Sequence, residues 1–422
     1  MPDPAVPASA ASAASSEPPF EPSSGPASAP PRQVPAISIA WLAFAGASSP
    51  YGFNFIGPIL PALQHAFALE GAQVQWLVSS YSLTLGLGQL VMGPLSDAWG
   101  RRGVLLTGLM LTIVGSVGAM LSHSFGLILL FRLIQGFGAC TSLVVPRAVI
   151  RDIYTRNEDI ARGIAIVTIT LSVAPGIAPL IAGGLLSWFS WRSGFASCAV
   201  LGIVSLALAL RHHTETLTDE KRAPMRLGPL LRAYWEIGRT PRFYAYTLSY
   251  ALLNAGVIAF LVIAPGAFTR QYGLTPWDAA LGILAVYGAS AMGNLYAVRH
   301  IRRRGANRML GMGLAVGVVS GIVLAVCASF STSLMLAMAL LVVNSVGNGF
   351  GFPSGIAGAV GLHPTRAGTA AALVGASQLV VSSLVAMVSG TVADGTLRPL
   401  VWMVLMTSLL ALFCALPVYR KR

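Results

Sequence analysis

Charge is what this 422-residue chain has least of. Aspartate, glutamate, lysine and arginine make up 10% of it, and 55% is hydrophobic. Soluble domains carry about 25% charged residues, so an ordinary water-soluble protein is excluded and an integral membrane protein is expected. Acid is scarcer than base, with 14 acidic against 27 basic side chains, and each acidic residue falls in a tail, a loop or a helix end. No carboxylate is therefore expected at mid-membrane depth. Cysteine is nearly absent: Cys140, Cys198, Cys327 and Cys414 stand singly in apolar runs. That pattern excludes a thiolate metal site and leaves them as small buried hydrophobes. There is no Gly-x-x-x-x-Gly-Lys-Ser/Thr loop to cradle a nucleotide phosphate, and no nucleophile–base or metal-ligating constellation. No cofactor, no metal and no enzyme activity are expected. Residues 1–35, almost all Ala, Pro, Ser, Gly and Glu, lack the basic region and apolar core of a signal peptide. They read as a disordered cytoplasmic tail.

What is present is a series of twelve apolar segments, near 37–60, 73–94, 103–122, 126–148, 162–186, 192–210, 243–265, 278–298, 309–329, 333–356, 367–391 and 399–418. Each is long enough to cross a ~30 Å hydrocarbon layer as a helix. The longest polar connection, 211–242, divides them six and six. Bases concentrate in alternate connections (99–102, 147–162, 211–242, 299–308) and at the C-terminal Arg420, Lys421 and Arg422; Arg192, Arg270 and Arg398 lie in the others, and Arg132 lies inside an apolar run. This is the positive-inside distribution. It predicts both termini in the cytoplasm, explains the net charge without a nucleic-acid partner, and implies a bilayer as the chief partner.

The stretch Gly93-Pro94-Leu95-Ser96-Asp97-Ala98-Trp99-Gly100-Arg101-Arg102-Gly103 joins the second and third segments. It resembles the loop between helices 2 and 3 of the major facilitator superfamily, departing from it at Ala98, where a base is usual. A weaker echo, Gly293-Asn294-Leu295 with Arg302-Arg303-Arg304-Gly305, follows in the second half without the aspartate. The resemblance implies an all-α integral membrane fold of twelve transmembrane helices in two pseudo-symmetric six-helix halves, with a cavity between them near the midplane. Expected boundaries are the tail 1–35, a first half over 36–210, a central loop over 211–241, a second half over 242–418 and a basic tail at 419–422.

Two further stretches narrow the resemblance. Arg132-Leu133-Ile134-Gln135-Gly136-Phe137-Gly138 is similar to a second motif of the superfamily. Pro175-Gly176-Ile177-Ala178-Pro179 with Gly183-Gly184 is similar to the antiporter motif of drug exporters, altered and one residue longer. With Gly88-Gln89-Leu90, Arg151-Asp152-Ile153-Tyr154, Ala161-Arg162 and Trp191-Arg192, the chain resembles the bicyclomycin/chloramphenicol resistance branch of drug:proton antiporters. The likeness is dense over 73–195 and architectural beyond about 240.

That resemblance assigns candidate roles. Gly93, Asp97, Gly100, Arg101, Arg102 and Asp152 would form a conformational latch, with Asp97 near the N-terminal end of the eleventh helix around Thr369, where the helix dipole favours a carboxylate. The open alternative is a solvated loop. Pro175, Pro179, Gly183 and Gly184 would bend and closely pack the fifth helix. Arg132, about 10 Å inside its helix, either is satisfied by backbone carbonyls and Asn54 or faces the cavity. Polar and aromatic residues inside apolar helices complete the cavity candidates: Tyr51, Asn54, Tyr81, Gln89, Asn254, Tyr287, Asn344, Asn348 and Gln378. Asn54 stands where the branch usually has aspartate, and an amide cannot titrate.

The expected function is export of small amphipathic compounds by alternating access, from a bacterial inner membrane, by a monomer coupled to a proton gradient. Chloramphenicol-like neutral or anionic substrates are favoured over lipophilic cations. The alternatives are a uniporter or organic-anion exchanger without proton coupling, and a membrane sensor that moves nothing.

Overall fold

The computed structural model describes residues 36–154, 156–217, 220, 222, 227–330 and 333–419. The expectations for the tail 1–35 and for the basic residues 420–422 lie outside these described residues. Among the described residues there is no strand. The first six expected segments become α1 (Ala36–Asn54) with α2 (Ile56–Ala66), α3 (Gly71–Trp99), α4 (Arg101–Leu121), α5 (Phe125–Ile153), α6 (Asn157–Trp188) and α7 (Arg192–His212). A short helix, α8 (Leu227–Gly238), interrupts the central connection. The last six are α9 (Pro241–Tyr272), α10 (Pro276–Arg304), α11 (Ala306–Phe330), α12 (Leu334–Gly361), α13 (Ala367–Val392) and α14 (Arg398–Tyr419).

Ten of these, α4 to α7 and α9 to α14, are long and apolar enough to cross a membrane. The other two expected segments are less regular. The first breaks at Phe55 into α1 and α2, because the ring of Pro58 cannot donate the N–H that would continue the helix back to Asn54. The second, α3, carries Gln73, Gln75 and Gln89 among its apolar residues. Helix starts follow local chemistry: Thr275 and Asp278 cap each other's backbone before α10, and Glu70 and Gln73 do the same before α3. Several elements outrun the expected segments at the end carrying the α3–α4 turn. α5 continues to Ile153 and α6 starts at Asn157, so most of the expected loop 147–162 is helix.

The same pairings occur twice. α1, α3 and α4 pack on α5, α1 packs on α6, and α4 on α7; likewise α9, α10 and α11 pack on α12, α9 on α13, and α11 on α14. The two sets meet through α3 against α13 and α6 against α10. At the first seam Ser79 Oγ donates to Ser383 O (3.1 Å) and Ser383 Oγ donates back to Ser79 O (3.0 Å). Large apolar side chains such as Trp188, Phe330 and Met335 stand exposed on the outside, as befits helices whose solvent is lipid.

Backbone geometry sharpens the internal echo. Gly100, between α3 and α4, has φ 98° and ψ 151°; Gly305, between α10 and α11, has φ 79° and ψ 152°. This region is close to glycine-only. The equivalent turns are therefore built on Gly100 and Gly305, which places Arg101 and Arg102 at the start of α4 but Arg302, Arg303 and Arg304 at the end of α10.

Candidate functional site

Between the two sets of helices lies a cavity of about 260 Å³. Four helices of the first set line it (α1, α3, α5, α6), and so do their repeat counterparts α9, α10, α12 and α13. On α13 it extends from Ser382 to Ala371, about 16 Å along the axis. Of the expected cavity residues, Asn54, Gln89, Asn254, Tyr287, Asn348 and Gln378 line it. They are partly tied to one another. Tyr250 Oη donates to Gln378 Oε1 (3.1 Å), and Gln378 Nε2 donates to Asn254 Oδ1 (3.1 Å). Asn348 Nδ2 donates to Ser290 Oγ (3.1 Å) and Asn54 Nδ2 to Pro50 O (2.8 Å). The buried Asn54 Oδ1, Asn348 Oδ1 and Ser382 Oγ have no hydrogen-bond partner among the described residues.

Tyr51, Tyr81, Asn344 and Arg132 are placed away from this cavity. Tyr51 Oη donates to Ser197 Oγ on α7 (2.7 Å), and Tyr81 Oη to Ser49 O (2.9 Å). Asn344 Nδ2 joins α12 to α11 through Gly317 O and Ser320 Oγ (both 3.0 Å). Arg132 is fully enclosed in the first set of helices. Its Nε donates to Leu77 O (3.1 Å), and its Nη1 donates to Gly52 O (2.8 Å) and Gln135 Oε1 (2.7 Å). The guanidinium carbon lies 4.3 Å from the Tyr81 ring centroid. Of the two readings open for Arg132, the geometry favours the tethered one, with Gln135 in the place expected for Asn54. Gly136 and Gly138 permit the close approach around it. A Cβ on Gly136 would come within 2.6 Å of Tyr81 O, and one on Gly138 within 2.5 Å of Gly108 O.

The charged member of the cavity wall is Arg147, a residue that the sequence pattern assigned to a loop. It follows Leu143 by one turn on α5, and both line the cavity. Among the described residues it is the cavity's one charged group; none of the lining residues is a carboxylate or a histidine. The Tyr250 hydroxyl lies near enough to interact with it electrostatically. Phe53 and Phe352 add aromatic wall. A signal for Arg147 was present in the sequence: the apolar run continues past it through Ala148, Val149 and Ile150, so a helix had reason to carry it inside.

The expected latch residues do come together, with an addition. Arg101 pairs with both Asp97 and Asp152 (Nε to Oδ2, 2.9 Å for Asp152), and its Nη1 donates to Ser96 Oγ (2.7 Å). Glu215, from the connection after α7, accepts from the backbone N–H groups of Arg101 (2.9 Å) and Arg102 (3.1 Å). Two arginines at a helix N-terminus oppose its dipole, and this carboxylate offsets them. Burial opposes ionisation of Glu215, but hydrogen bonds from the N–H groups of Leu217, Arg101, Arg102 and Thr216 outweigh it and hold its pKa below the usual value. Gly100 is needed for more than its φ, since a Cβ there would sit 2.5 Å from Glu215 Oε2. Gly93 is half-buried, and a Cβ there would lie 3.8 Å from the Val144 side chain on α5.

Asp97 is not found at α13. Its side chain is 51% exposed and its ion partner is Arg101. In the region expected for that contact, α8 reaches both helices: Tyr234 Oη donates to Leu90 O on α3 (2.9 Å), and Glu236 pairs with Arg366 just before α13. Of the antiporter-motif residues, Pro175 lines the cavity, Pro179 and Gly183 are buried, and a Cβ on Gly184 would lie 3.2 Å from the Trp277 ring of α10. The α6 motif thus supplies both a piece of cavity wall and the second seam.

A helical membrane bundle with a polar and aromatic cavity between two repeated halves defines a transporter rather than an enzyme. The chain belongs to the Major Facilitator Superfamily, whose family profile matches residues 42–386. It is 31% identical over 268 residues to a chloramphenicol resistance protein of Pseudomonas aeruginosa, covering 62% of each chain. It is 25% identical to a bicyclomycin resistance protein homolog of Haemophilus influenzae, over 84% of this chain and 88% of that one. It is 27% identical to multidrug resistance protein D of Escherichia coli, over 83% and 87%. These relatives bear out the resemblance to the drug:proton antiporter branch. The crystal structure of a bacterial homolog to the human lysosomal transporter Spinster shares the fold, with TM-score 0.69 at 16% identity over 89% of this chain and 94% of that one.

Proposed function

We propose that the protein exports small amphipathic compounds from a bacterial cytoplasm by alternating access, as an inner-membrane monomer with both termini inside. The halves 36–210 and 242–418 would rock about the cavity, joined by the loop 211–241, while the cluster of Gly93, Asp97, Gly100, Arg101, Arg102 and Asp152 governs the cytoplasmic opening. The observation that carries this reading is the cavity itself, lined by four helices from each half with carboxamides, hydroxyls and aromatic rings. Such a wall suits permissive binding of compounds with one polar and one apolar side. With Arg147 and no carboxylate in that wall, chloramphenicol-like neutral compounds and organic anions are favoured over lipophilic cations.

Proton antiport is the coupling that membership of the branch suggests. The second reading, a uniporter or exchanger, is favoured by the absence of any carboxylate or histidine among the described cavity residues. For an anion such a carrier is still concentrative. An inside-negative potential of about 100 mV supplies about 2.3 kcal/mol for each elementary charge moved outward. Transport in proteoliposomes separates the two. A pH gradient and a potassium-diffusion potential are imposed separately, with chloramphenicol, an aryl carboxylate and tetraphenylphosphonium as probes. Antiport requires movement driven by the pH gradient at zero potential. Movement that follows only the potential assigns uniport, and no movement of any probe would overturn the export reading.

A further inference from the structure

We propose that the preferred cargo is an amphipathic organic anion with a hydrogen-bond donor at its other end, and that Arg147 is the residue that holds its anionic group. The proposal rests on the export reading above and gives the cavity a definite polarity. Its first support is the state of Arg147. Among the described residues no hydrogen bond or ion pair reaches its guanidinium, although the side chain is half-buried in the cavity wall. The other arginines carried into the bundle are tied down: Arg132 has three acceptors through Nε and Nη1, with Nη2 left over, and Arg101 has Asp97, Asp152 and Ser96. A guanidinium presents a planar fork of donors that fits a carboxylate in two parallel hydrogen bonds.

The surrounding charges point the same way. Arg151, one turn further along α5, is exposed and adds positive potential at that end. Asp152, the nearest acid along the helix, is turned away to Arg101 and to Thr216 Oγ1. The remaining cavity residues are neutral, so among the described residues no negative charge in the wall balances a bound cation.

A second observation, independent of Arg147, defines the other end of the ligand. Asn54, Asn348 and Ser382 are 2%, 3% and 1% exposed. All three residues line the cavity, and the carboxamide oxygens of the first two and the hydroxyl of the third are buried with no partner among the described residues. Both amide nitrogens are already committed, to Pro50 O and Ser290 Oγ. What the carboxamides present is therefore two acceptors, which suit a ligand hydroxyl or amide N–H and repel an anionic group. Phe53, Tyr250, Tyr287 and Phe352 supply rings for an aromatic body between the two ends. Arg147 comes from the first half, and Asn348 and Ser382 from the second, so a ligand held at its two ends is gripped by both halves at once, which is what a substrate must do to bias their closure.

The test uses the full chain in lipid nanodiscs and isothermal titration with 6-hydroxy-2-naphthoate, its uncharged isostere 6-hydroxy-2-naphthamide, and tetraphenylphosphonium. The wild type is expected to bind the carboxylate at least ten-fold more tightly than the amide, and the phosphonium most weakly. Arg147→Gln should bring the carboxylate down to the affinity of the amide, and Arg147→Lys should retain part of the preference. Equal affinity for carboxylate and amide in the wild type overturns the proposal without recourse to any variant. So does an unchanged preference in Arg147→Gln. Failure of the export reading is a separate result: the carboxylate binds with the stated preference yet no probe crosses a proteoliposome membrane. Conversely, transport of neutral and cationic probes with no preference for the carboxylate removes the anion site and leaves export standing.

Discussion

Arg132 and Arg147 lie on one helix, α5, and meet opposite surroundings. Arg132 is fully buried and tethered. Arg147 faces the cavity and is half-buried. The difference follows from the backbone around them. The break at Phe55 ends α1 at Asn54, and the last four carbonyls of a helix lack intrahelical partners and carry the negative end of its dipole. Gly52 O is one of these, and Arg132 takes it. Among the described residues no acceptor reaches the Arg147 guanidinium, and the nearest acid along its helix, Asp152, serves Arg101 instead. The two turns repeat the contrast. Glu215 and Asp152 tie down the α3–α4 turn, whereas around Gly305 nothing approaches within 4 Å of a Cβ position. A charge that is matched holds the structure together, and one left unmatched is available to a ligand.

The largest expected effect is on the tethered side. Arg132→Ala leaves the carbonyls of Leu77 and Gly52 and the Gln135 amide without their donor, and each buried acceptor left unsatisfied costs about 1–3 kcal/mol. Thermal unfolding in detergent should show a large drop in Tm, with Arg132→Lys intermediate; a wild-type Tm for the alanine variant would abolish the contrast. Next come the turn glycines. Alanine in their region of backbone space costs about 1–3 kcal/mol. Gly100→Ala should exceed Gly305→Ala, because its Cβ also displaces Glu215 from the N-terminus of α4. Equal Tm shifts would show that Glu215 contributes nothing there.

A pH prediction sharpens the same turn. Burial pushes the His213 pKa down from 6.5 to about 4, and Glu215 is also held below its usual value. For both, the folded state binds fewer protons than the unfolded. The stabilisation is therefore complete above the unfolded pKa of each group and is lost as pH falls toward its folded value. Amide protection factors of residues 213–217, which correct for the intrinsic pH dependence of exchange, should fall as the pH is lowered from 6.5 to 4, while those around Gly305 stay level. Protection that is flat for both would remove the linkage. The smallest effect belongs to the unmatched side: Arg147→Gln should move stability by no more than about 0.5 kcal/mol, or raise it, since no partner is orphaned. A Tm loss approaching that of Arg132→Ala would mean that Arg147 is structural after all.

Much of the architecture was legible because a bilayer imposes a simple rule of length and apolarity on each segment. The α3–α4 turn was legible through Asp97, Arg101 and Asp152, which stand close to glycines and helix ends. Glu215 was not, since it lies more than a hundred residues from the backbone it caps and nothing local marks it. Helix α8 was overlooked inside a polar connection, although its apolar residues and Tyr234 give it a face that reaches α3. Tyr51, Tyr81, Asn344 and Arg132 share with the true cavity residues the one feature visible in sequence, polarity within an apolar helix. Helix rotation decides which of them meet a neighbouring helix and which meet the cavity, and side-chain identity does not encode it.

By itself, then, the sequence determined that the chain is a helical membrane protein, which segments span, and which short turn carries the superfamily pattern. These follow from local composition, because each helix must satisfy its own backbone in lipid. Only the tertiary structure decided which of two arginines is bound into the fold and which lines the cavity, where Asn54 and Asn348 leave acceptors open, and that Glu215 caps α4. Those outcomes depend on how distant helices are rotated and where their ends fall against one another.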